Sequence, residues 1–209
     1  MPLTAALIKT ACSASPWDLG NEVLYSLCRT HPRHTERAAV IAKVWLIGRS
    51  YAASIERGRD KPEGNDDFYV ERVSPQITAS AIDEWLRQLV GFSHPCSQSL
   101  PHILRTHAKV TSLFGEISGL EKRSPASKYL HFHLPHLFYI FDSRAVEAMR
   151  KLSGLVGRAL GTSPEADLEY GKFAQKCLRL QNHSTLKYGV TMLPRGLDNL
   201  LLRLHAGEP

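Results

Sequence analysis

The sequence predicts an all-α fold: a single domain built as a two-lobed helical bundle. Three observations predict it. Apolar residues recur at helical spacing through most of the 209 residues. Four Ser-Pro pairs (Ser15-Pro16, Ser74-Pro75, Ser124-Pro125 and Ser163-Pro164) each stand before an amphipathic run. Ser caps a helix by accepting a backbone N–H, and Pro at the first helical position gives up a donor that the helix cannot use. Strand signals are few, with residues 137–141 the one β-like run.

The elements follow in order. A helix is predicted over 17–27, with Asp18 in its first turn. Thr35 caps a longer one over 36–57, ended by Gly58, whose apolar positions are Val40, Ile41, Val44, Trp45 and Ile55. Residues 59–72 read as a loop. Helices then follow over 75–90, 100–114, 125–134, 143–152, 164–180 and 194–204. The two lobes are expected at 1–72 together with the C-terminal helices, and at 73–160.

Composition bounds the function. Hydrophobic residues make up 43% of the chain, enough for a core, and no apolar run approaches the ~20 residues of a membrane span. Residues 1–12 are too weakly apolar for a signal peptide. The expectation is a cytoplasmic monomer with no membrane role. Cys12, Cys28, Cys96 and Cys177 are scattered, so no zinc site and no disulfide framework is indicated. Net charge is +6, and its distribution says more than its total. Residues 102–158 hold nine Lys/Arg against four Asp/Glu, with five histidines besides, whereas 59–72 hold five acids against three bases. A focused basic region suits a polyanion, and DNA is the expected partner.

Chemistry concentrates between Ser124 and Ala145. Lys128 lies four residues after Ser124, near a helix N-terminus. The positive end of the helix dipole and the apolar neighbours Leu130, Phe132 and Leu134 both favour the neutral, nucleophilic amine. The apolar run 137–141 ends on Asp142, placed as the cap of the next helix. A Lys and an Asp in such apolar sequence are costly to bury unless they pair or work. Taken singly, each also fits a bland role: a solvated first-turn lysine and a helix cap.

This helix, break, apolar run and Asp resembles the helix-hairpin-helix DNA glycosylases over roughly residues 115–150. In that family a Lys opens the second hairpin helix, and an apolar stretch leads to an Asp capping the next. The match rests on Lys128 and on Ile140-Phe141-Asp142-Ser143-Arg144. The chain departs from the pattern in four places. It carries Gly119 where the family has Gly-x-Gly, the Lys-to-Asp spacing of fourteen is a few residues short, Arg144 replaces a His, and no iron–sulfur ligand set is present. The resemblance implies a DNA glycosylase with abasic-site lyase activity, in repair or phage defence, using no cofactor. Lys128 would attack the sugar of a flipped nucleotide, with Asp142 assisting.

Further residues follow from these readings. Lys122, Arg123, Ser124, Arg144 and Arg195 are candidates for phosphate contact. Trp45, Arg49, Tyr51, Tyr129 and His133 are candidates for the base pocket, with Phe132, Phe138 and Tyr139 as further aromatics that core packing also explains. Arg49 and Glu56 are read as a pair two turns apart on one helix face. His131, His133 and His136 resemble a metal cluster, but helical i and i+2 positions point apart, so none is expected. The alternatives are a non-catalytic helical DNA-binding protein and a helical protein-interaction module.

Overall fold

The computed structural model describes residues 3–57, 68–159, 161 and 163–207. It is all-helical, and no strand occurs among the described residues. The helices are α1 (Ala5–Ala11), α2 (Asp18–Thr30), α3 (Arg37–Ser50), α4 (Ser74–Ala79), α5 (Ile82–Arg87), α6 (Leu100–Ser118), α7 (Arg123–His133), α8 (Ser143–Lys151), α9 (Ser153–Val156), α10 (Leu168–Tyr188) and α11 (Pro194–Ala206). A π-helical segment, Phe68–Val73, leads directly into α4.

α7 is the centre of the molecule. Every residue from Ala126 to Phe132 is buried, so this helix has no solvated face over those turns. α6 packs along it, α2 and α3 pack across it, and α11 packs on α8 and α1. One continuous apolar cluster runs from Leu7 in α1 to Leu204 in α11.

None of the four Ser-Pro pairs supplies the cap and first residue of a helix. Ser15 Oγ accepts the Trp17 N–H while the Asp18 carboxylate accepts the Ser15 N–H, a reciprocal pair in the turn just before α2, which opens at Asp18. Ser74 instead continues the π-helical segment, its hydroxyl donating to the Val70 carbonyl. Ser124 lies one residue inside α7, which opens at Arg123. Ser163 closes a turn, and Asp167 caps α10 by accepting the Tyr170 N–H at 2.7 Å.

Three other expectations are corrected. α3 stops at Ser50, well short of 57, because the chain doubles back: Ala53 N–H reaches the Gly48 carbonyl at 2.8 Å and Ala52 takes φ 48°. The 75–90 helix divides at Ser80, whose hydroxyl donates to the Ile77 carbonyl at the end of α4 and accepts the Ile82 N–H at the start of α5. The run 137–141 joins no strand: Leu137 closes a turn, its N–H reaching the Leu134 carbonyl at 3.0 Å, and the residues after it are irregular. Side chains hold its backbone: Ser127 Oγ accepts from Phe141 N–H, and His131 and Tyr170 donate to the Phe138 and Tyr139 carbonyls. The predicted end at Gly58 and most of the 59–72 loop lie outside the described residues, and its last residues form the π-helical segment.

One buried charge has no counterpart in the sequence reading. Lys43 in α3 is fully buried and donates to the carbonyls of His31 and Arg33, at 2.9 and 3.1 Å, beyond the end of α2. Burial pulls its ammonium down to about 8. Among the described residues no helix is long and apolar enough to cross a membrane.

Candidate active site around Lys128

α6 ends on Gly119, whose left-handed conformation (φ 72°) turns the chain through a short hairpin into α7. That hairpin sets the register of α7 and carries Lys128 to the buried junction with the start of α8. The Lys128 side chain is 3% exposed. Its Nζ donates to the Tyr51 carbonyl at 3.1 Å and lies 3.4 Å from Asp142 Oδ2. Burial lowers the proton affinity of the amine, against the opposing pull of Asp142.

Asp142 does cap α8, its Oδ1 accepting the Ala145 N–H at 2.9 Å. Its other oxygen meets Lys128 and, at 3.6 Å, Arg144. Burial alone would raise this carboxyl. The Ala145 N–H and the two cations outweigh burial and hold it below the usual carboxylate range. Lys128 therefore faces a fixed anion, and the pair needs no metal to account for either charge.

The site holds more than these two groups. Asp198, on the fifth residue of α11, is 2% exposed, and its Oδ2 accepts from Arg195 Nη1 at 3.0 Å. Arg195 lies over the Tyr51 ring, 5.8 Å from its centroid. Tyr51 donates its hydroxyl to Asn21 Oδ1 at 2.6 Å. Asp198 Oδ1, Arg195 Nε and Asn21 Nδ2 are buried without a hydrogen-bond partner. Burial pushes Asp198 up to about 6, its largest influence, and Asp142 adds to the rise. Beside this cluster, His131 donates Nδ1–H to the Phe138 carbonyl at 2.8 Å, which leaves Nε2 to accept from the Tyr25 hydroxyl, also at 2.8 Å.

Of the residues expected to contact DNA, Arg144 is open, its side chain 57% exposed. Lys122 is buried and donates to the Arg57 carbonyl at 2.7 Å. Arg123 pairs with Asp167 and Glu121, both at 2.6 Å. Arg195 is spent on Asp198. Ser124 accepts the Ser127 hydroxyl on its carbonyl at 2.9 Å.

Of the expected base-pocket residues, Tyr51 joins the Lys128 site and the others do not. Tyr129 is 1% exposed and points away, because a one-residue step turns the side chain about 100° around a helix. Its hydroxyl meets His34 Nε2 at 2.7 Å, His34 is held by Asp83, and His133 packs at a tilt against both rings. Trp45 is 46% exposed on α3. Arg49 does pair with Glu56, at 2.8 Å, but across the turn after α3 and not along one helix. His131, His133 and His136 go to three different partners, the last donating to the Phe92 carbonyl.

Asp198 and Asn21 were missed by the sequence reading. A signal existed for Asp198: it sits on the stripe of α11 that also carries Pro194, Leu197 and Leu201, and a carboxylate on an apolar stripe is buried. Asn21 carries no comparable signal. Compared with family models, curated proteins and solved structures, the chain matches none.

Proposed function

We propose that this chain is a DNA glycosylase with abasic-site lyase activity, working through Lys128. The observation that carries the reading is the Lys128–Asp142 pair: an amine withdrawn from water, 3.4 Å from a carboxylate fixed as a helix cap. Desolvation favours the neutral amine, the form that attacks carbon. Nζ adds to the anomeric carbon of an extruded nucleotide as the glycosidic bond breaks. Asp142, held ionised, sits where positive charge develops on the sugar. Loss of the base leaves the sugar carbon bonded to Nζ; the sugar ring C–O bond then opens, its electron pair passing to oxygen, and gives an iminium on Lys128, from which strand cleavage by elimination follows. Attack requires Nζ to leave the Tyr51 carbonyl, so substrate must shift the turn after α3.

The test is borohydride trapping on a duplex containing an abasic site. Wild type should give a covalent protein–DNA adduct, and Lys128→Gln should give none while melting as a folded protein. Full trapping by Lys128→Gln would remove the assignment.

A second reading, a helical interaction module, has its own observation. Trp17, Leu19 and Val23 at the start of α2 are 76%, 80% and 59% exposed. Salt separates the two. Under the DNA reading, affinity for duplex falls with salt, and Arg144→Ala lowers the log–log slope by about one unit. A flat response, or no binding to duplex or single strand, favours the module.

A further inference from the structure

We propose that Asp198 is the acid of this site: it hands a proton to the base as the base departs and then takes one back from the Lys128 nitrogen. The inference rests on the glycosylase reading of Lys128 and adds to it a residue outside the Lys–Asp pair.

The geometry is a cluster of groups from four parts of the chain. Asp198 is 2% exposed, and only one of its oxygens is used, by Arg195. Oδ1 is buried with no partner. A carboxylate serving only as a structural tie has its oxygens hydrogen-bonded, since an unpaired buried acceptor is costly. Arg195 is the more exposed member of the pair, at 21%, and lies over Tyr51. The Tyr51 carbonyl in turn holds Lys128 Nζ. Asn21 Nδ2 and Arg195 Nε stand unpaired in the same cluster. These are donors and an acceptor without protein partners, gathered beside the nucleophile.

The two carboxylates are driven apart. Asp142 is capped by a backbone N–H and flanked by Lys128 and Arg144, and stays ionised. Asp198 is held near 6 by burial, so a usable fraction carries a proton near neutrality. The groups that act on Asp198 are Arg195 on its own helix, Asp142 and Arg144 at α8, and Lys128 on α7. It acts in turn on the hydroxyls of Tyr25 and Tyr51 and on the Cys177 thiol of α10. Of the two carboxylates, Asp198 is the one placed to exchange a proton between weakly acid and neutral pH.

The step balances. The glycosidic C–N bond breaks with its electron pair passing to the base nitrogen. The Asp198 O–H bond breaks, and that proton goes to the departing base. Nζ forms its bond to the sugar carbon and becomes a secondary ammonium. It then returns one proton to the Asp198 carboxylate, which restores the acid. No oxidant or further reactant is consumed.

The experiment compares two kinds of substrate, an abasic duplex and duplexes with a base to release, in single turnover. One is a duplex already abasic, which has no base to release. The others are duplexes carrying an oxidised purine, uracil or hydroxymethylcytosine. Asp198→Asn should release base on the order of 100-fold more slowly, and should lose far less in trapping on the abasic duplex, where no base needs a proton. Base release by wild type should fall as pH rises above about 6, and Asp198→Asn should lack that limb. Arg195→Gln is the second variant, should the first not fold. Arg195 lowers the Asp198 pKa, so its loss should move the limb to higher pH. Base release by Asp198→Asn at the wild-type rate, or an unmoved limb in Arg195→Gln, overturns the proposal. So does a wild type that traps the abasic duplex and releases none of these bases. A wild type that neither traps nor releases overturns the glycosylase reading with it.

Discussion

Removing Lys128 and removing Asp142 are different perturbations, because only one of them strands a charge. Without Lys128, the Asp142 carboxylate keeps the Ala145 N–H and Arg144. Lys128→Met should therefore unfold in urea at least as late as wild type, since a buried ion pair is often no better than apolar packing. Asp142→Ala loses the cap, about 1 kcal/mol. It also leaves the amine buried without its counter-ion, a further cost on the order of 3 kcal/mol. Part of that second cost should return in alkaline buffer, where the amine is neutral. Equal losses for the two variants near neutral pH, or a pH-independent loss for Asp142→Ala, would contradict this account. Lys128 and Asp142 were legible in the sequence because each is a lone charge in an apolar stretch. Tyr129 and His133, read as base-pocket candidates, lie away from Lys128. A helix turns neighbours onto different faces, and these two meet His34.

At the scale of elements, the turn after α3 and the start of α2 make a matched pair of glycine tests. A Cβ on Gly48 would stand 3.0 Å from Ser54 Cα, which is backbone and cannot step aside cheaply. Gly48→Ala should cost about 1–3 kcal/mol and loosen the turn that presents the Tyr51 carbonyl to Lys128. Gly20, exposed within α2, meets nothing within 4 Å, and Gly20→Ala should stabilise by about 0.5–1 kcal/mol. Thermal melts of both variants decide, and a neutral Gly48→Ala would show the turn to be pliant. Helix existence was legible from periodicity, whereas helix ends were not. Ser74 and Ser163 carry the Ser-Pro signature, but the π-helical segment and the Asp167 cap set the starts of α4 and α10. The run 137–141 reads as a strand locally but forms none. Its backbone partners are side chains of α7 and α10, which no local pattern reveals.

Across the whole molecule, buried neutral histidines set the limit of acid stability. His34 and His131 are held down to about 4 and His107 to about 3, in each case chiefly by burial. His34 and His131 serve as fixed tautomers between a tyrosine hydroxyl and an acceptor, Asp83 or the Phe138 carbonyl. His107 lies flat on Tyr170, ring centroids 3.5 Å apart, and donates to the Arg123 carbonyl. A histidine whose folded pKa lies below its unfolded value gives stability that is present above the unfolded value, near 6.5, and lost as pH falls below it. At pH 5 each of the three should cost about 2 kcal/mol. Asp198 acts in the opposite sense. Its folded pKa is raised, so it gives back stability as pH falls through about 6, on the order of 1 kcal/mol by pH 5. Asp83, Asp142 and Asp167, all held low, begin to lose their contributions at more acid pH still. The net loss by pH 5, about 4 kcal/mol or more, is a large share of the 5–15 kcal/mol that holds a typical domain together. The chain should therefore unfold cooperatively between about pH 6 and 4, as read by far-ultraviolet circular dichroism. Asp198→Asn removes this opposing group and should lose more stability than wild type on going from pH 7 to pH 5. A fold that survives unchanged to pH 4, or an Asp198→Asn variant whose loss between pH 7 and 5 is no larger than that of wild type, would show that these buried groups do not govern acid stability.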